Sequence, residues 1–172
     1  IKLTLIFCLS RFSNTFSKIT INDNPNIENR GIMLDVSRDK VPKLETLFQL
    51  VDMMSHLKLN QLQLYMEHTF AYEGHESVWQ DSGAYTAEEI QLLNSYCESH
   101  FVKLVPNQNS FAHMHRWLEH EEYSELAERP DQIRRKLHKK VYSQNGQAGF
   151  SLCPTNPKTF ELLDDMYSQL LP

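Results

Sequence analysis

Glycine is scarce, at five in 172 residues, and no G-x-G-x-x-G run follows a strand: the first strand-like stretch runs into "SRDK". A nucleotide cradle is therefore not expected. There is no G-x-S-x-G elbow and no cysteine in an electropositive motif, so nucleophilic hydrolysis by a side chain has no candidate. The three cysteines, Cys8, Cys97 and Cys153, are odd in number and lack C-x-x-C spacing. That excludes a disulfide framework and a zinc knuckle, and predicts buried thiols. Basic excess is missing too: the net charge is −5. The one basic cluster, "RRKLHKK" at Arg134 to Lys140, lies beside the acidic run "EHEEYSELAE", and the pair reads as a solvated face rather than a nucleic-acid patch. No apolar run approaches the length of about 20 residues that spans a bilayer. The opening "IKLTLIFCLS" lacks an initiator Met and a small-residue cleavage pattern, and reads as an amphipathic strand or helix before the main domain. Neither nucleic acid nor membrane is an expected partner.

What is present is a repeat of strand and helix. At 41% hydrophobic residues the chain suits one globular domain with its own core. "RGIMLDVS", "NQLQLYM" and "FVKLVPNQN" read as strands of a parallel sheet. "VPKLETLFQLVDMMSHL" follows the first, with Pro42 in a first-turn position and Leu44, Leu47, Phe48, Val51 and Met54 at helical spacing. "YTAEEIQLLNSYCESH" opens with Thr86 and Glu89 as a capping box and turns Ile90, Leu93 and Cys97 inward. "NPKTFELLDDMYSQLL" has Asn156 as cap, Pro157 at the first helical position, and Phe160, Leu163, Tyr167 and Leu170 on one face. Strand starts separated by about 30 to 40 residues fit right-handed βαβ units. The fold class is α/β, and the loops at the carboxyl ends of the strands are where ligands should sit.

Those loops hold the polar and aromatic residues. "YMEHTFAYEGHE" combines Glu67, His68, Tyr72, His75 and Glu76, with Trp79 close behind, a mixture suited to a sugar ring or simply a polar loop. In "NQNSFAHMH", Asn107, Gln108 and Asn109 supply uncharged hydrogen bonding, and His113 is a structural histidine, a proton relay, or a metal ligand with His115. Arg30 at the head of the first strand either pairs with a neighbouring loop or binds vicinal hydroxyls. Asp35 and Arg38 read as a structural ion pair. Asp164 and Asp165, mid-helix, read as solvent-facing charges rather than a catalytic pair.

"NRGIMLDVSRDKVPKLETLFQLVDMMSHLKLNQLQLYMEH" resembles the opening of the catalytic domain of glycoside hydrolase family 20, the β-N-acetylhexosaminidase family. The likeness continues through "VWQDSGAYTAEEI", "LVPNQNSFAHMHRWL" and "FSLCPTNPKTFELL". "IRRKLHKKVYSQNGQAG" carries no family feature, so residues 133–148 have no assigned role. The resemblance implies a partial (β/α)8 barrel of about three βα units over residues 29–172, after an N-terminal extension over residues 1–28. It implies a carbohydrate substrate, a terminal β-linked N-acetylhexosaminide, cleaved with retention by the substrate's own acetamido oxygen, and it implies no cofactor and no metal. By resemblance, Arg30 binds sugar hydroxyls, Asn107 and Asn109 lie in the sugar-facing loop, and His113 with Glu67 supports an acid/base residue. The Asp-Glu pair that carries the acid is expected on a fourth strand after Pro172, making this chain a fragment inactive alone. Its unfinished sheet implies self-association through an exposed edge. A non-catalytic carbohydrate-binding or interaction module, and a metal-dependent hydrolase using His113 and His115, stand as alternatives.

Overall fold

Of three short strands only the middle one, QLQLYM, strictly alternates polar and apolar side chains, and its alternation decides which way the sheet faces. The computed structural model describes residues 20, 22, 24–38, 40–131, 133 and 150–170. Strands β1 (Gly31–Asp35), β2 (Gln61–Met66) and β3 (Lys103–Gln108) form one parallel sheet in the order β1-β2-β3. On one face Leu62, Leu64 and Met66 of β2 are buried. They join Leu47, Val51 and Met54 of α1 (Leu44–His56), Leu93 and Cys97 of α3 (Ala87–Ser99), and Leu162, Leu163 and Met166 of α5 (Pro157–Leu170) in a single core. Each such side chain contributes about 2 kcal/mol on burial. A slip of one residue would put Gln61, Gln63 and Tyr65 into that core instead, so the register is strongly specified. The opposite face carries Met33, Gln63, Tyr65, Val105 and Asn107, none of them fully buried.

The helices begin and end for local reasons. Thr86 and Glu89 form the expected capping box of α3: the Glu89 N–H donates to Thr86 Oγ1 at 3.2 Å and the Thr86 N–H to Glu89 Oε2 at 3.0 Å. Asn156 precedes Pro157, the first residue of α5, and its Oδ1 accepts from the Lys158 N–H. Pro42 falls just ahead of α1 rather than within its first turn, because Lys43 is the cap. Helices α1 and α3 end alike, with Lys58 and Phe101 both at φ 59°. The N–H that follows each closes on Met54 O at 2.8 Å and on Cys97 O at 2.9 Å, and the chain turns directly into the next strand. The left-handed conformation is usually glycine's, and a side chain there costs about 1 kcal/mol. It recurs at the same point of two successive units.

Long connections follow β2 and β3. The first contains α2 (Glu76–Trp79) and pairs Phe70 with Tyr85, whose hydroxyl donates to Pro42 O at 2.5 Å. The second contains α4 (His115–Leu118) and a 3₁₀ turn at Ser124–Leu126. The acidic run is solvated at Glu121, Glu122, Glu125 and Glu128, but Tyr123, Ser124, Leu126 and Ala127 between them are buried, and Ala127 bridges to Leu152. Helix α5 also turns a different side inward. Thr159, Leu162, Leu163 and Met166 are buried, while Phe160 and Tyr167 are 54% and 38% exposed. Thr159, on the buried side, donates its hydroxyl to Cys153 O at 2.9 Å. Cys97 is buried and burial pushes its thiol up to about 11, whereas Cys153 is only half-buried. Cys8, the residues of the expected extension before position 20, and the basic cluster lie outside the described residues.

Gly31 shows why the first strand opens on glycine. A Cβ there would stand 2.6 Å from Gln61 O, a main-chain atom of the neighbouring strand that cannot step aside. Gly31→Ala is expected to destabilise the chain by about 2 kcal/mol. A urea titration of both forms checks this, and an unchanged midpoint would refute the close approach as a constraint.

Candidate functional site

The site is built from the turn that leaves β1. Asp35 Oδ1 accepts the Ser37 N–H at 2.9 Å, an Asx-type turn that brings Arg38 back over the strand, where its Nη1 pairs with Asp35 Oδ2. The turn is stitched to β2, since Ser37 Oγ accepts the Glu67 N–H at 2.7 Å and lies 3.1 Å from Thr69 Oγ1. Glu67 itself is 2% exposed. Its carbonyl accepts from Trp117 Nε1 at 2.8 Å and Gln108 Nε2 at 3.1 Å. Its Oε1 faces three groups: Tyr65 Oη at 3.0 Å, Arg38 Nη2 at 3.1 Å and His113 Nδ1 at 3.3 Å. A buried carboxylate is tolerated only when compensated in this way.

His113 arrives from the connection after β3. The Leu152 N–H donates to Phe111 O at 2.7 Å and the Met114 N–H to Phe150 O at 3.0 Å, so two main-chain bonds clamp the segment around it. Between them His113 takes φ 57°, and the Phe150 ring stands edge-on with centroids 4.3 Å apart. Strain at a polar, partly exposed residue is a mark of functional positions. Asp35, Tyr65 and Asn107 share one row of the sheet register, all at the carboxyl ends of their strands.

Two carboxylates, Asp35 and Glu67, share the one guanidinium of Arg38. Burial would push the Asp35 carboxyl up, but the Ser37 N–H and the Arg38 guanidinium more than reverse it and hold it below the usual carboxylate range. Asp35 and then Tyr65 make Arg38 still harder to deprotonate. Burial, with the Glu67 carboxylate adding to it, raises Tyr65, so its hydroxyl keeps the proton that it donates to Glu67.

The structure brings Glu67 and His113 together, joins to them Arg38 of the expected Asp35–Arg38 ion pair, and adds Tyr65 and Ser37, which the residue pattern alone does not single out. Arg30 is elsewhere, at the amino end of β1. Its Nε donates to Lys58 O at 2.9 Å and its Nη1 to Ile27 O at 2.5 Å and Glu28 O at 2.8 Å, fastening the amino ends of β1 and β2. Asn107 lies on the open sheet face and donates to Gln63 Oε1 at 3.2 Å. Asn109 closes the end of the ladder, with both its main-chain N–H and its Nδ2 on Met66 O. Tyr72 is fully buried and Trp79 donates to Tyr72 O, so these rings belong to the packing of the loop rather than to an open sugar platform. Burial first, then Arg116, lowers His68. His113 Nδ1 stands 3.4 Å from Arg38 Nη2. Among the described residues no group of three His, Cys, Asp or Glu could hold a metal ion. No described helix is long and apolar enough to cross a membrane.

Residues 28–172 match the family model "Glycosyl hydrolase family 20, catalytic domain". Among curated relatives, the beta-hexosaminidase subunit beta of Rattus norvegicus is 27% identical over 60% of this chain and 21% of its own length. Beta-hexosaminidase subunit A1 of Dictyostelium discoideum is 23% identical over 90% of this chain and 28% of its own. The chain thus spans under a third of either relative. Solved structures show the same backbone arrangement. A Flavobacterium johnsoniae chitobiase superposes with a TM-score of 0.67 at 23% identity, over 86% of this chain and 22% of that one. A mutant Streptomyces plicatus beta-hexosaminidase in complex with product, GlcNAc, gives 0.68 at 22% identity over 86% and 31%.

A second polar tie lies outside the cluster. His75 Nε2 is 2.6 Å from Asp165 Oδ2 and its Nδ1 is 2.6 Å from Tyr123 Oη, joining the loop after β2 to α5 and the 3₁₀ turn. The adjacent His75 holds the Asp165 carboxyl below its ordinary value of 3.8. A carboxyl depressed on folding contributes stability that is complete above its unfolded value and is lost as pH falls through the folded one. Wild-type stability should therefore fall on acidification below about pH 4, and that fall should be shallower in Asp165→Asn. Urea midpoints between about pH 5 and 2 measure the difference, and parallel profiles would remove the tie from the account of acid stability.

Proposed function

Since the chain belongs to glycosyl hydrolase family 20, we propose that it forms the first three βα units of a (β/α)8 barrel that removes terminal β-linked N-acetylhexosamine by substrate-assisted retaining hydrolysis. Residues 29–172 are the barrel portion and residues 1–28 the extension before it. In this reading the substrate's acetamido oxygen attacks the anomeric carbon while a carboxylic acid protonates the leaving oxygen. The acid/base Asp-Glu pair sits on a fourth strand that follows α5, and the three units described above supply its support and part of the sugar site.

The observation that carries the proposal is the junction of Arg38, Glu67 and His113 at the carboxyl ends of the strands, the face on which barrel enzymes place their chemistry. His113 with Glu67 behind it supports the acid. Arg38 takes the hydroxyl-binding role that the motif suggested for Arg30, because its guanidinium is half-exposed beside that junction, whereas Arg30 is engaged by main-chain carbonyls at the opposite end. Asn107 lines the open face next to Tyr65. Asn109 shapes the loop through Met66 O.

The two arginines separate the roles experimentally. Titrated with N-acetylglucosamine and followed by heteronuclear NMR, Arg38→Met should weaken binding by roughly tenfold or more, while Arg30→Met should lower stability and leave affinity within about twofold. Equal losses in both would sink the assignment. A chain extended through the next strands should hydrolyse a nitrophenyl N-acetylglucosaminide; sugar binding without turnover there would favour a carbohydrate-binding module.

The same reading makes β1 and β3 edge strands within the described residues, and unpaired edges template pairing with other chains. Light scattering of the chain over a concentration series should show association. A monodisperse monomer with a sharp cooperative melt would count against an unfinished barrel.

A further inference from the structure

Arg38 and His113 are rivals for one acceptor. Glu67 Oε1 lies 3.1 Å from Arg38 Nη2 and 3.3 Å from His113 Nδ1, and those two nitrogens are 3.4 Å apart. A neutral imidazole carries its proton on one nitrogen only. With the proton on Nε2, Nδ1 offers a lone pair to the guanidinium. With the proton on Nδ1, it donates to Glu67, but its hydrogen then faces those on Nη2. Tyr65 holds this geometry in place: its hydroxyl donates to Glu67 Oε1 at 3.0 Å, its ring lies under the guanidinium at 5.0 Å, and its Oη is 3.3 Å from Arg38 Nη2.

We propose that Arg38 sets the tautomer of His113, so that drawing the guanidinium onto a ligand's hydroxyls moves the imidazole proton from Nε2 to Nδ1. Net charge is unchanged: one proton leaves Nε2 for water and another is taken from water at Nδ1, which the 35% exposure of His113 permits. Arg38 is 51% exposed and can swing toward a ligand, whereas Glu67, at 2%, stays behind as the acceptor for Nδ1. The consequence is a reversal at the far nitrogen. Nε2 is a donor while the site is empty and an acceptor once it is filled, able to take the hydrogen of a neighbouring carboxylic acid. Hydroxyl binding and the state of the histidine are thereby coupled through a single carboxylate oxygen, and the coupling is reciprocal. The choice of hydroxyls as the natural trigger rests on the carbohydrate reading; the coupling between the two side chains does not.

Two-bond ¹⁵N–¹H spectra of the histidine-labelled chain, at about pH 8 where imidazole is ordinarily neutral, read the tautomer directly. The wild type should show mainly the Nε2–H form. Arg38→Met should shift the ratio roughly tenfold or more toward Nδ1–H, as expected for exchanging a charged hydrogen-bond partner. If that variant does not give a dispersed spectrum, Arg38→Gln carries the same test with a side chain too short to reach Nδ1. Saturating N-acetylglucosamine should produce the same shift in the wild type. A wild type already in the Nδ1–H form, or one tautomer common to wild type and variant, overturns the coupling. A switch in the variant with no response of the Arg38 guanidinium signals to the sugar upholds the coupling and removes the carbohydrate reading. A sugar that perturbs those signals while the tautomer stays fixed does the reverse.

Discussion

A carboxylate almost entirely withdrawn from water at the end of β2 dictates the arrangement of everything near it. Glu67 has to be compensated, since an unpaired charge in that position would cost several kcal/mol. Its side chain draws in Arg38 from the turn after β1, Tyr65 from β2 and His113 from the connection after β3. Its main chain engages Ser37 Oγ, Gln108 Nε2 and Trp117 Nε1. One residue therefore ties together all three strand ends and α4. A buried ion pair is poor evidence of stability in itself, and its value here is registration: it brings loops distant in sequence to within hydrogen-bond distance of each other.

That registration depends on the apolar face of the sheet. Leu62, Leu64 and Met66 point into the helical layer, which leaves Gln61, Gln63 and Tyr65 on the other side and places Tyr65 level with Asp35 and Asn107. The core thus sets the site indirectly: the burial of alternate side chains chooses the register, and the register lines up three polar residues at one end. The paired helix endings at Lys58 and Phe101 feed β2 and β3 in with the same geometry, and both accept left-handed strain that glycine would avoid.

Periodicity made the strands, the α3 capping box and the start of α5 legible, because each depends on a few neighbouring residues. What depends on distant partners was not. Helix α5 has two apolar flanks, one through Phe160 and Tyr167 and one through Leu162 and Met166; the second is buried, and Thr159 on that side bonds to Cys153 O. Glu121, Glu122, Glu125 and Glu128 of the acidic run face solvent as their charge suggests, yet Tyr123 and Leu126 between them are buried. Tyr72 and Trp79 look like a sugar platform by type, yet Tyr72 is buried against Phe70 and Trp117, and Trp79 donates to the Tyr72 carbonyl. Of the candidate site, Glu67 and His113 were named together through the family resemblance, and the structure sets them 3.3 Å apart. Tyr65 left a weaker trace, the residue two before Glu67 in a strand, where alternation puts side chains on a common face.

The two arginines of "RGIMLDVSR" show why strand polarity outranks residue type. They stand eight positions apart and flank the same strand, so they must emerge at its opposite ends. At the amino end Arg30 meets the main-chain carbonyls of Ile27, Glu28 and Lys58, the last presented by the left-handed ending of α1. A guanidinium with its Nε and Nη1 donors held by backbone is a fastener, since trading those partners for a ligand would strand the carbonyls. At the carboxyl end Arg38 meets two carboxylates, a phenol and an imidazole, each of which has another partner or tautomer available. The same side chain is held by main-chain carbonyls in the first setting and by side chains in the second, and the difference lies in what the two ends of a parallel strand expose.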